Sequence, residues 1–255
     1  MDDGKRWNLV WITGASSGIG RELACLLEGK AGKVAISARS ADTLESLAAD
    51  KWWLSPYPLD VTDEAAVSDC VRAIEAEHGP IDLAVLNAAT WSIVEASDLS
   101  VDAIRRGVEV NYMGVVHALA ALIPAMRRRG SGHIAIVASS AGYRGLPKSA
   151  AYGPTKAALI NLAETLRSEL KPFGITISLV NSGFVDTPMT RDNPFPMPFL
   201  IPVREAASRL LAGLERRKYE IVFPRRFVFG LKLLRILPNR IFFRIVDRYL
   251  LDRKG

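Results

Sequence analysis

The chain has 255 residues, 49% of them apolar, which supports one sizeable buried core and excludes a disordered polyelectrolyte. Its net charge of +6 is uneven: residues 225–255 carry nine Lys and Arg against Asp247 and Asp252, a balance of +7 that leaves the preceding body at −1. Cys25 and Cys70 fall inside helical patterns, which argues against a disulfide scaffold, and His78, His117 and His133 lack metal-ligand spacing, so no metal is expected.

The opening Met1-Asp2-Asp3-Gly4-Lys5-Arg6 is acidic then basic and leads into a short apolar run rather than a signal-peptide core, so a reducing, cytoplasmic setting is expected. Strands are predicted at Leu9–Ile12, Val34–Ser37, Trp53–Tyr57, Leu83–Leu86, Ile134–Ala138, Ile175–Val180 and Tyr219–Phe223. Between them, helical spacing of apolar residues predicts helices at Ile19–Leu27, Leu44–Ala49, Ala65–Glu77, Val101–Arg128, Tyr152–Leu170 and Arg204–Arg216, with Gly29, Gly79, Gly130 and Gly174 as stop residues after four of them. Near-continuous apolar strands alternating with amphipathic helices predict an α/β fold: a Rossmann-type doubly wound parallel sheet of about seven strands. One domain is expected over residues 1–223, with a basic extension at 224–255. Ligands of such sheets bind beyond the carboxyl ends of the strands.

The first strand ends in Thr13-Gly14-Ala15-Ser16-Ser17-Gly18-Ile19-Gly20, and a helix follows at once. Glycines at 14, 18 and 20 suit a tight turn, and the helix N-terminus suits a pyrophosphate. No Gly-Lys-Ser/Thr follows, so the loop differs from that of ATPases. The second strand ends Ser37-Ala38-Arg39-Ser40 without an acid at its tip. Dinucleotide folds use a carboxylate there for NAD and a basic residue for the extra phosphate of NADP, so Arg39 favours NADP(H) over NAD(H).

Tyr152-Gly153-Pro154-Thr155-Lys156 opens a long helix, and a step of four puts Tyr152 and Lys156 on one face. A phenol with a pKa of about 10 exchanges protons poorly near neutrality; an adjacent ammonium and a cationic nicotinamide would lower it. Ser139 stands at the carboxyl end of the fifth predicted strand, where a hydroxyl can polarise a carbonyl, and Ser140 is expected to point elsewhere.

The glycine spacing and the Ser139, Tyr152, Lys156 set resemble the short-chain dehydrogenase/reductase family, over about residues 8–223. The resemblance implies that Asn111, in Val110-Asn111-Tyr112-Met113-Gly114, holds a relay water, that Asp60-Val61 lies near the adenine, and that Asn87-Ala88-Ala89 lies on the cofactor. It implies further that Ser182-Gly183-Phe184-Val185-Asp186-Thr187 binds the nicotinamide carboxamide, with Gly183, Val185 and Thr187 in contact. Ala89 stands where the family usually has glycine, and Ser182 where it has proline. In the implied mechanism NADPH gives hydride to a carbonyl while Tyr152 donates a proton, Ser139 hydrogen-bonds the same oxygen, and Lys156 tunes Tyr152 and binds the nicotinamide ribose. A homo-oligomer, dimer or tetramer, is also implied.

The resemblance places a substrate lid at 188–203; the Pro, Phe and Met side chains after Thr187 through Leu200 fit a cover over a hydrophobic or lipid-like carbonyl substrate, and equally fit simple packing on the body. Residues 225–251 predict two basic amphipathic helices, Arg225–Leu237 and Arg240–Leu251, the second with Arg240, Arg244 and Arg248 in one stripe. Such helices suit an anionic membrane surface; packing on the chain's own body or across an oligomer interface is the alternative, and nucleic acid is not expected. Against the lead reading stand a reductase of small polar carbonyls and a dinucleotide-binding sensor without catalysis.

Overall fold

Seven apolar runs pair into one sheet, in a computed structural model that describes residues 5–248. The strands are β1 (Trp7–Thr13), β2 (Ala31–Ser37), β3 (Leu54–Pro56), β4 (Leu83–Leu86), β5 (Gly132–Val137), β6 (Ile175–Ser182) and β9 (Glu220–Phe223). Their order is β3-β2-β1-β4-β5-β6-β9, and every neighbouring pair is parallel. The chain thus winds outward from β1 in one direction and from β4 in the other. The crevice at that reversal is where a doubly wound sheet takes its ligand.

Burial on both faces explains why the strands read as apolar runs rather than alternating ones. On one face α1 (Gly18–Leu26), α2 (Ala41–Ala48) and α7 (Val203–Glu215) contribute Leu23, Leu44 and Leu210 to a core with Val10, Ile12 and Ile36. On the other, α3 (Glu64–His78), α5 (Gly114–Arg129) and α6 (Gly153–Leu170) contribute Val71, Leu119 and Leu159 to a core with Trp11, Ile134 and Ile136. The predicted stops at Gly29, Gly79, Gly130 and Gly174 all have positive φ.

The helix predicted over Val101–Arg128 is interrupted. It runs as α4 (Val101–Val108), a π-turn over Glu109–Met113, and α5, and the π-turn contains the buried Asn111. The run Val101–Arg129 is long and apolar enough to cross a membrane, yet Val115, Leu119, Leu122 and Met126 are buried in the core against the sheet. Strand β2 starts three residues before the predicted Val34, α2 starts at Ala41 rather than Leu44, and β3 is shorter than predicted. Two further strands, β7 (Val185–Asp186) and β8 (Ile201–Pro202), pair in parallel at the two ends of the expected lid.

The basic extension forms α8 (Arg225–Ile236) and α9 (Asn239–Val246), while the final residues of the predicted second helix, Tyr249 to Leu251, lie outside the described residues. One side of this pair packs on the body: Val228, Phe242 and Val246 are buried. Arg144 donates to the Arg235 carbonyl at 2.9 Å and stacks over the Phe242 ring at 4.1 Å. Lys232 pairs with Glu220, whose carboxylate also accepts from Tyr143 at 2.8 Å and Asn181 at 3.0 Å.

Candidate active site

The turn after β1 is held by its neighbour strand. Thr13 Oγ1 accepts from the Asn87 and Ala88 amides at 3.0 and 3.1 Å, and Asn87 Nδ2 donates to the Thr13 and Gly14 carbonyls, both at 3.1 Å. Asn87 and Ala88 therefore brace the turn itself. Gly14 and Gly18 have φ of 69° and 55°, a region that side chains with a Cβ rarely enter. A Cβ on Gly20 would lie 2.5 Å from the Gly14 carbonyl oxygen. The Ser17 side chain makes no cap to α1, and the first amides of a helix have no partner within it, so the turn offers free N–H groups to a pyrophosphate. Ser16 and Ile19 are half-buried beside them.

Arg39 is exposed just beyond the tip of β2, and Asp60 is exposed beyond β3. The Thr62 amide, with the Thr62 hydroxyl and the Arg39 charge, holds the Asp60 carboxyl below the usual carboxylate range. Arg39 and Asp60 thus share one rim of the crevice. Val61 packs its side chain against Gly114, where a Cβ would come within 2.7 Å, and its carbonyl meets His117 Nδ1 at 3.0 Å.

From the other side, a Cβ on Gly18 would meet Thr187 Cγ2 at 3.3 Å, so the segment after β6 closes onto the glycine turn. Gly183 donates to the Phe223 carbonyl at 2.8 Å and lies under the Phe227 ring of α8, which a Cβ there would strike at 2.7 Å. Val185 is buried, and its carbonyl accepts from Thr190 Oγ1 at 2.6 Å. The Ser182 carbonyl accepts from both Ser139 Oγ at 3.3 Å and Ser140 Oγ at 3.0 Å. Ser140 was expected to point elsewhere; the 3₁₀ turn at Ser140–Gly142 instead folds both hydroxyls onto one acceptor.

Tyr152 and Lys156 are neighbours on α6 as the spacing predicts: Lys156 Nζ lies 5.3 Å from the centre of the Tyr152 ring. Lys156 is fully buried and donates to the Val137 carbonyl at 2.9 Å. Burial pushes the Tyr152 phenol up to about 12, against a hydrogen bond with Ser139 that lowers it. Burial also pushes the Lys156 ammonium down to about 7. The expected lowering of the phenol by Lys156 is therefore not a property of the chain alone. Only the Ser139 hydrogen bond opposes desolvation at the phenol, and an amine near its midpoint at neutrality is only partly a cation.

Asn111 is buried, and both polar atoms of its amide bond to protein. Oδ1 accepts from the Thr90 amide at 2.7 Å, while Nδ2 donates to the Thr90 carbonyl at 3.0 Å and Thr155 Oγ1 at 3.2 Å. It clamps the loop after β4 to the first turn of α6.

Trp91 was not singled out from sequence. Its ring stands edge-on to Tyr152, centres 5.0 Å apart and planes at 88°, and its indole N–H donates to Asn193 Oδ1 in the lid at 3.0 Å. Phe195 and Phe184 continue the aromatic wall, and Phe227 meets Phe184 at 5.3 Å between ring centres. The available signal was position: Trp91 follows Asn87-Ala88-Ala89 at the ligand end of β4.

The chain matches the family model of the short chain dehydrogenases over residues 8–195. An uncharacterized oxidoreductase of Myxococcus xanthus is 35% identical over 235 residues, 91% of this chain and 93% of the other. A short chain dehydrogenase of Burkholderia cenocepacia in complex with NADP superposes with a TM-score of 0.83 at 28% identity, covering 95% of this chain and 99% of that one. A short chain dehydrogenase/reductase of Burkholderia phymatum in complex with NAD gives 0.81 at 23% identity, over 91% and 94% of the two chains, and shares the fold.

Proposed function

The chain belongs to the short-chain dehydrogenase/reductase family and is an NAD(P)-dependent oxidoreductase; on that premise we propose that it interconverts a hydrophobic carbonyl and its secondary alcohol with NADP(H). The observation that carries this reading is the convergence of Ser139, Tyr152 and Lys156 at the ligand edge of the sheet, with the open amides of the glycine turn across the crevice. Arg39 supports NADP(H): a guanidinium at the rim suits the adenosine phosphate, although Asp60 beside it reduces the net positive field.

The dinucleotide, when bound, supplies the hydride for reduction or accepts it in the reverse direction. Amides of Gly18, Ile19 and Gly20 would hold its pyrophosphate, Arg39 the adenosine phosphate, Lys156 the nicotinamide ribose, and the Gly183–Thr187 segment the carboxamide. Ser139 Oγ hydrogen-bonds the substrate oxygen and orients it. Tyr152, a neutral phenol across the physiological range, would donate its proton to that oxygen in reduction and take it back in the reverse direction. Lys156, poised near 7, can return a proton to the tyrosinate. Asn111 fixes the distance between the loop carrying Trp91 and the helix carrying Tyr152.

A hydrophobic substrate is favoured by the lid, whose Phe195 joins Trp91 and Phe184 in an apolar wall next to Tyr152. Absorbance assays with NADPH, then NADH, against small, aryl and long-chain ketones test the whole reading. NADPH-dependent reduction favouring the apolar ketones is expected; preference for small polar carbonyls, or no reduction with either cofactor, contradicts it.

A second reading concerns the extension. Phe229, Leu233 and Ile236 are 64%, 48% and 77% exposed and share one face of α8 by their spacing, turned to the side of the buried Val228. Arg225 and Arg226 precede them, and Arg240 and Arg244 are exposed on α9. An apolar face edged by arginine suits peripheral attachment to an anionic bilayer. Flotation with phosphatidylserine vesicles should carry the protein up, and Leu233→Glu with Ile236→Glu should abolish it; equal flotation of both contradicts attachment through this face, and flotation of neither argues instead for contact between copies of the chain.

A further inference from the structure

The aromatic wall beside Tyr152 has one member that is anchored at both ends. Asn111 holds Thr90 by both of its backbone polar groups, which fixes the backbone immediately before Trp91. The same Asn111 amide reaches Thr155, three residues after Tyr152. One buried side chain thus sets the spacing of the two rings that meet at 5.0 Å. At the far edge, the indole N–H is tied to Asn193, which lies between the short strands closing the lid.

From this arrangement we infer that Trp91 is the specificity-determining residue of the site, a wall latched to the lid through Asn193 that selects carbonyls bearing an aryl or extended aliphatic group next to the reacting carbon. The inference deepens the proposed hydrophobic-carbonyl reading and rests on it. Indole has a single hydrogen-bond donor, and here Asn193 takes it, so the remainder of the ring offers only carbon surface to a ligand. A polar substituent there would lose water without gaining a partner, whereas an aryl or alkyl group replaces water on an apolar ring. Phe195 extends the same surface, with ring centres 6.4 Å from Trp91. Trp91 carries no proton and no charge in the reaction. It acts on which substrate is held, and the lid latch acts through it.

The geometry separates Trp91 from an ordinary core tryptophan. Trp11 and Trp53 are buried and donate within the core of the domain, to Ser37 of β2 and to the Ala24 carbonyl of α1. Trp91 is half-buried and spans the crevice between the residue opening α6 and the lid.

The test compares Trp91→Ala, Trp91→Phe and Asn193→Ala with the unaltered protein, using acetophenone and butanone with NADPH, together with amide hydrogen exchange over residues 188–200 in the absence of ketone. The ratio of kcat/KM for acetophenone to that for butanone should fall at least about tenfold in Trp91→Ala, mainly through KM, and stay within about threefold in Trp91→Phe, which keeps an aromatic face. Asn193→Ala, which keeps the aromatic wall, should leave the ratio within about threefold and speed lid exchange by about two- to tenfold, the loss of one hydrogen bond. Trp91→Phe also lacks the N–H, so its lid should exchange as fast as that of Asn193→Ala while its ketone preference is retained. If the unaltered protein reduces neither ketone, the hydrophobic-carbonyl reading fails and lid exchange alone decides the latch. An unchanged ketone ratio in a folded Trp91→Ala protein, or unchanged lid exchange in Asn193→Ala, overturns the inference.

Discussion

Lys156 Nζ stands 5.3 Å from the centre of the Tyr152 ring and donates to the Val137 carbonyl at 2.9 Å. Burial acts on the two groups in opposite senses, raising the phenol to about 12 and lowering the ammonium to about 7. Across the interval both side chains are neutral. The phenol keeps the proton that reduction of a carbonyl requires, and the amine lies close to the pH at which it can pass one on.

That opposition has a consequence for stability. The unfolded chain holds the lysine proton up to its ordinary value of 10.5, while the folded chain releases it from about 7. Between those values the unfolded state binds more protons, so the penalty for burying Lys156 is largest below 7 and lifts as pH rises. Urea unfolding of the unaltered protein and Lys156→Met at pH 7 and pH 9 should show the unaltered protein gaining about 2 kcal/mol relative to the variant over that step. A constant difference would place the lysine in a more hydrated setting.

At the glycine turn, Gly20→Ala brings a methyl within 2.5 Å of the Gly14 carbonyl oxygen and 2.7 Å of Asn87 Nδ2. Backbone must move to accept it, and the braced amides move with it. Dinucleotide affinity measured by calorimetry should fall about tenfold or more, with circular dichroism unchanged. Unaltered affinity would mean that these amides do not hold the pyrophosphate.

Cofactor choice is tested at the rim. Arg39→Leu removes the guanidinium that lies near Asp60 and should raise KM for NADPH by about 10- to 100-fold, the scale of a charge-assisted hydrogen bond, while KM for NADH changes little. Equal effects on both cofactors would move the adenosine phosphate away from Arg39.

Much of this site is legible in the sequence because local rules place its parts. A four-residue step puts Tyr152 and Lys156 together, and an apolar strand before Ser139 puts its hydroxyl at the ligand edge. Glycines at 14 and 18 mark left-handed backbone that the structure contains. What local rules miss depends on distant partners. The π-turn around Asn111 adds one residue to a helical run, which a period of 3.6 does not register. Trp91 gains its setting from Asn193, 102 positions along the chain, and Tyr152, on another element. The pKa of Tyr152 depends on how deeply its surroundings bury it, a quantity spacing alone does not contain. Likewise the body-facing side of α8 and α9 is fixed by Arg144 and Glu220, neither of which belongs to the extension.

The most direct test of the account is turnover by Tyr152→Phe. With the ring retained and only the phenolic oxygen removed, packing against Trp91 persists while the proton donor is lost. Steady-state reduction of an apolar ketone that the unaltered protein accepts should fall by about 10²- to 10⁴-fold, with NADPH affinity kept within a few fold. Turnover within a few fold of the unaltered protein would contradict the assignment of Tyr152 as the acid of this reaction.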